Sequence, residues 1–155
     1  MATANIINAI ADGLVVRCQA ITGVGAGYVN TAALVERVAG VSWPNKTRPF
    51  IAVSFGGMRS NVAHPNNYYR AQGAFYADFV MDAATGTDLV DCERAALSMA
   101  EDIARAVGLD YQLAGALVSG QMLLENIEVN VGESAEAGLV AAGRVTFVAL
   151  WEWSA

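Results

Sequence analysis

The sequence predicts an α+β fold: a mainly antiparallel or mixed sheet of four to five strands, two main helices packed on one of its faces, and a long β-hairpin. Three observations carry that expectation. From Tyr69 to Met81 and from Arg144 to Trp153, side-chain character alternates with the two-residue period of a strand. From Leu89 to Val107 the apolar residues step by three and four instead, which is the period of a helix. Both patterns stand in one 155-residue chain with no internal repeat and no linker, so residues 1–155 read as a single α/β domain.

A first helix is expected from Asn5 to about Ile21, where Ile7, Ile10, Leu14, Cys18 and Ile21 form one stripe and Thr3 or Asn5 offers a cap oxygen. Gly13 inside it costs about 1 kcal/mol relative to alanine. Thr22 to Gly27, TGVGAG, then ends the helix. Its glycines invite a phosphate-loop reading, but such a loop follows a strand and opens a helix, and Tyr28 stands where a third glycine is needed. It reads as a turn.

Between Tyr28 and Val41, Leu34, Val35 and Val38 fit a short helix, while Tyr28-Val29 and Val41-Ser42-Trp43 fit strand fragments. Pro44 and Pro49 mark turns and push their predecessors into extended backbone, so a strand follows at Phe50 to Phe55, closed by Gly56-Gly57. Met58 to Tyr68 is polar and turn-rich. It predicts a projecting hairpin loop of roughly 11 to 14 residues ahead of the strand Tyr69 to Met81.

The second helix has Thr87 or Asp88 as its cap and a stripe of Leu89, Cys92, Ala96, Met99, Ile103 and Ala106. Asp91, Arg94, Ser98, Glu101, Asp102 and Arg105 take the opposite side, with acids near the positive end of the dipole and Arg105 near the negative end. Gly108 stops it. Leu109 to Gly120 predicts a connection plus a short strand. Met122 to Val131 then alternates, with Met122, Leu124, Asn126, Glu128 and Asn130 against Leu123, Glu125, Ile127, Val129 and Val131.

After the acidic connection GESAEAG comes the last strand, Leu139 to Trp153. Val145, Phe147, Ala149, Trp151 and Trp153 share one face; Arg144, Thr146, Val148, Leu150 and Glu152 share the other, which is only half polar. A strand of that kind is central in a sheet, or an edge that something else covers. Two helices cover one face of a sheet, so Tyr76, Val80, Val148 and Leu150 are expected to face outward together as a contact surface.

Composition narrows the chemistry. The chain is 55% hydrophobic and 15% charged, a surplus of apolar residues that suits contacts with other subunits. No run of about 18 uncharged apolar residues occurs and no basic residue precedes Arg17, so neither a membrane span nor a secretory signal is expected. Cys18 and Cys92 are then expected as buried free thiols in a cytosol. A net charge of -6 argues against sequence-specific nucleic-acid binding. His64 is the single histidine, without companions for a metal site or a catalytic triad. Asp78, Asp82, Glu125, Glu128 and Glu152 are spaced as solvent faces rather than as a catalytic pair, and no cofactor is implied. The competing reading is an enzyme or ligand-binding domain with a pocket of Trp43, Tyr68 and Tyr69.

A short N-terminal helix, a proline-bearing segment, a strand and long hairpin, the helix introduced by TGTDLVDCERAALSMAEDIARAV, and the closing strand RVTFVALWEW follow in that order. This order resembles the tail-terminator (tail-completion) proteins of long-tailed bacteriophages. The resemblance implies a structural virion protein, assembled in the host cytoplasm, that forms a homohexameric ring at the head-proximal end of the tail tube. It implies contacts with itself, with the tube protein and with a neck or head-connector protein, and a lumen through which DNA passes. On that basis the subunit contact is expected at Tyr69, Tyr76, Val80, Val148 and Leu150, and a partner-facing loop at Arg59, His64, Asn66 and Asn67. Another neck or tail-tube subunit would share this architecture. The family carries no catalytic motif.

Overall fold

The computed structural model describes residues 6–39, 46–61, 68–82, 88–113, 121–134 and 138–154, with the side chains of 59–61, 68–70, 134 and 152–154 left aside. Helix α1 spans Ile6–Gln19, strand β1 Leu34–Arg37, β2 Phe50–Asn61 and β3 Tyr68–Asp82; helix α2 spans Leu89–Gly108, β4 Gln121–Ser134 and β5 Gly138–Ser154. The strands form one mixed, open sheet in the order β1-β2-β3-β5-β4, with β1 parallel to β2 and every other pair antiparallel.

The α+β expectation and the two helices are found as read, and β5 is an interior strand between β3 and β4. Both helices lie against one face. From α1, Ile10, Leu14 and Cys18 are buried; from α2, Cys92, Ala96, Met99, Ile103 and Ala106; they meet Phe75, Ala77 and Phe79 of β3 and Val145, Phe147, Ala149 and Trp151 of β5. Each large side chain in that layer contributes about 1.5–3 kcal/mol by leaving water. Gly13 earns its place in α1 through a close approach, since a Cβ there would come within 2.9 Å of the Leu113 Cβ. Gly143 does the same for the Phe79 ring, which occupies the space a side chain would need.

The turn Val24–Ala26 is a single 3-10 turn between Gly23 and Gly27, both at positive φ, and it leads to β1 rather than into a helix. Asp88 caps α2 by accepting from the Asp91 amide at 2.8 Å.

Four expectations are corrected. Leu34 to Val38 is not a short helix: Leu34–Arg37 is β1, laddered in parallel from Leu34 against Phe50 to Arg37 against Val53. Met58 to Asn61 and Tyr68 are not loop, because the ladder between β2 and β3 continues from Met58 opposite Gly73 to Asn61 opposite Arg70. A bulge between Phe55 and Gly57, with Gly57 at φ 111°, carries the strand through what reads as a stop signal. In β4 a second bulge between Leu124 and Asn126 shifts the alternation by one residue. Met122 and Leu124 therefore share their face with Ile127, Val129 and Val131, opposite Ala149, Phe147, Val145, Gly143 and Ala141. Finally, Asp102 is not on a solvated side of α2. It is buried and accepts from the Val29 amide at 3.3 Å, the Asn30 amide at 2.8 Å and Asn30 Nδ2 at 2.9 Å.

Candidate assembly surface

The sheet face away from the helices is built from alternate residues of β3, β5 and β4. At its β1 end it is closed, since Phe50 and Ala52 are buried and the Lys46 ammonium lies 5.9 Å from the Phe50 ring centroid. Lys46 is held there by Glu36 at 2.8 Å. Beyond that cover, the rows Tyr76–Thr146–Asn126, Ala74–Val148–Leu123 and Gln72–Leu150–Gln121 cross the sheet.

One ion pair organises the centre. Arg144 on β5 donates from Nε to Asp78 Oδ1 at 2.7 Å and from Nη2 to Asp78 Oδ2 at 3.1 Å, the bidentate geometry that suits a guanidinium and a carboxylate. Its guanidinium stacks 4.0 Å from the Tyr76 ring centroid. The hydrogen bond that Arg144 donates to Asp78 holds the guanidinium more firmly protonated than usual, against an opposing effect of partial burial. On β4, Asn126 donates to Glu128 at 2.8 Å. Shallow depressions flank this pair: about 730 Å³ beside Ser54, Phe55, Tyr76 and Arg144, and about 450 Å³ beside Gly56, Met58, Ala74 and Val148.

Asp78 is engaged by Arg144, and Asp82 by Arg48 at 2.6 Å, so the two carboxylates are separately paired. Among the described residues no group of three or more His, Cys, Asp and Glu is placed to hold a metal, and no helix is long and apolar enough to cross a membrane.

Of the expected contact residues, Tyr76, Val148 and Leu150 follow one another on this face, although Val148 is nearly buried and Tyr76 lies under Arg144. Val80 is half-buried on the far side of the ion pair, opposite Ala142 and Phe50. Tyr69 pairs with Trp153 at the hairpin end; its side chain is outside the described set. Arg59 sits in β2 opposite Gln72, which corrects its expected loop position, while His64, Asn66 and Asn67 lie outside the described residues, as does Trp43. The proposed aromatic pocket of Trp43, Tyr68 and Tyr69 therefore lies outside the described side chains.

Sequence reasoning missed the residues that expose most apolar surface on the sheet. Phe55 and Met58 on β2 are each 39% exposed, and Leu123 and Leu124 on β4 are 42% and 51% exposed. The doublet Leu123-Leu124 was the available signal, because neighbours in a strand point to opposite faces and cannot both enter one core.

No family model matches the chain, and no curated protein matches its sequence. Among solved structures, a chain from the virion of a native gene transfer agent (GTA) particle matches with a TM-score of 0.45 and 12% identity, over 95% of this chain and 98% of that one.

Proposed function

We propose that this chain is a structural virion protein of the phage-tail type, a subunit of a homohexameric ring that caps the head-proximal end of a tail tube. In that role it ends tube polymerisation and docks to a neck or head-connector protein. The observation that carries the assembly half of this reading is the distribution of exposed apolar residues: Leu123 of β4 on the face that carries half-buried Leu150, and Phe55, Met58 and Leu124 at the two margins of the opposite face. A surface of that kind is expected to be covered by protein. The element order that resembles tail terminators supports the specific role. So does the pairing of Asp78 and Asp82 with separate arginines, which leaves neither as a free acid or base.

Tyr69, Tyr76, Val80, Val148 and Leu150 are assigned to the subunit contact and Arg59, His64, Asn66 and Asn67 to the partner-facing end of the hairpin. The net charge of -6 suits a lumen through which DNA slides without adhering. Light scattering combined with negative-stain imaging tests the proposal. Six chains of 16.2 kDa predict a ring of about 97 kDa. Leu150→Lys is expected to shift the mass toward the monomer. A wild-type monomer at micromolar concentration would overturn the proposal.

A further inference from the structure

The assembly reading leaves open how one copy meets the next, and the strand ladders define two free edges. On β2, β1 occupies the outer side only from Phe50 to Val53, so among the described residues nothing pairs with that side beyond Ser54. On β4, the Met122 amide donates to the Tyr111 carbonyl at 3.0 Å, and from Leu123 onward the side away from β5 carries no ladder among the described residues.

These edges lie at the same height. The registers connect Ser54, Tyr76, Thr146 and Asn126 in one row across the sheet, Phe55, Phe75, Phe147 and Leu124 in the next, and Arg59, Gln72, Leu150 and Gln121 in the last. Three successive antiparallel pairings make β4 antiparallel to β2. A copy placed alongside in the same orientation would thus continue the antiparallel alternation across the boundary.

We infer that neighbouring copies join by continuing the sheet, with residues 123–126 of β4 in one copy pairing antiparallel with residues 54–57 of β2 in the next. This rests on the assembly reading above. Main-chain hydrogen bonds would supply the seam, as in strand addition to an exposed edge. The exposed apolar residues lie where the seam needs them, Phe55 and Met58 on one edge and Leu123 and Leu124 on the other.

Charge selects unlike edges. β4 carries Glu125, Glu128 and Glu133 with no Lys or Arg, so two β4 edges set together would oppose carboxylates; β2 carries Arg59 and no acid. The seam also has a built-in end. Below Ser54, β1 takes the place beside β2, and the β4 bulge between Leu124 and Asn126 falls at that height, where it bends the strand away. A contact between two different edges is heterologous, so it closes into a ring when its rotation closes.

Cysteine pairs placed across the seam provide the test, in the full chain. Phe55→Cys with Leu124→Cys, and Met58→Cys with Leu124→Cys to cover a register slip, are oxidised and run on non-reducing gels. Cys18 and Cys92 are buried and stay out of the reaction. The expected result is a ladder of covalent multimers from at least one pair and a single-chain band from each single variant. Leu124→Lys is expected to abolish the oligomer by light scattering with its circular dichroism unchanged, since Leu124 is half exposed. Covalent dimers from a single-cysteine variant would show like edges meeting and overturn the seam. An oligomer that forms in both cysteine pairs without any ladder overturns the seam and leaves the assembly reading standing; a wild-type monomer overturns both.

Discussion

Phe147 and Leu150 sit three residues apart on the same interior strand, yet they belong to different environments. Phe147 is 1% exposed beneath α2 and packed against β3, whereas Leu150 lies on the opposite face and is only half-buried. The helix-bearing face closes on itself with aliphatic and aromatic side chains. The other face sets the Arg144–Asp78 pair and the polar Gln72, Thr146 and Asn126 among apolar Val148, Leu150 and Leu123. On the proposed reading, the difference teaches that the two faces answer to different partners: one to the chain's own helices, the other to a second protein.

Perturbations should separate along that line. The largest effect is expected from Phe147→Ala, which removes a fully buried ring and should cost about 3–5 kcal/mol in urea unfolding. If it costs no more than Leu150→Ala, the contrast between the faces collapses. Next comes Asp102→Ala. It leaves three donors, the Val29 and Asn30 amides and Asn30 Nδ2, without their acceptor and should cost about 2–4 kcal/mol, with faster amide exchange confined first to the 24–30 turn.

Felt only at high pH is the contribution of Cys18, whose thiol burial pushes up to about 12 from an ordinary value of 9.0. A folded-state value above the unfolded one means that the native chain keeps its proton while the unfolded chain loses it. The stability present below about pH 9 should therefore fall by on the order of 1 kcal/mol per pH unit as pH rises toward 12. Cys18→Ala is expected to remove that slope, as read by unfolding at pH 8, 10 and 11. At the small end of the scale, Leu150→Lys should change folding by less than about 0.5 kcal/mol while changing the assembled mass. A reversal of that pattern would mean that Leu150 serves the chain's own core.

Much of this was legible before any coordinates. The α2 stripe and its Asp88 cap, the buried alternation of β3 and β5, and the burial of both cysteines follow from local period and composition. The candidate surface was legible in part. Leu150 and Val148 show themselves as apolar residues on the half-polar face of β5, but Phe55 and Met58 flank a Gly56-Gly57 pair that looks like a strand ending.

Sequence by itself determined the two main helices, the long alternating strands β3 and β5, and which face of α2, β3 and β5 turns inward, because a side chain's direction follows from the backbone period. Tertiary structure alone decided the rest. Whether Leu34–Arg37 becomes a strand depends on a parallel partner distant in the chain, and whether Asp102 is buried depends on a turn more than 70 residues away. The two bulges reset the phase of β2 and β4 only in the presence of the strands beside them. Among the described residues the short reach of β1 leaves the β2 edge open beyond Ser54, level with Asn126 of β4, and no period along a single strand encodes the height of its neighbours.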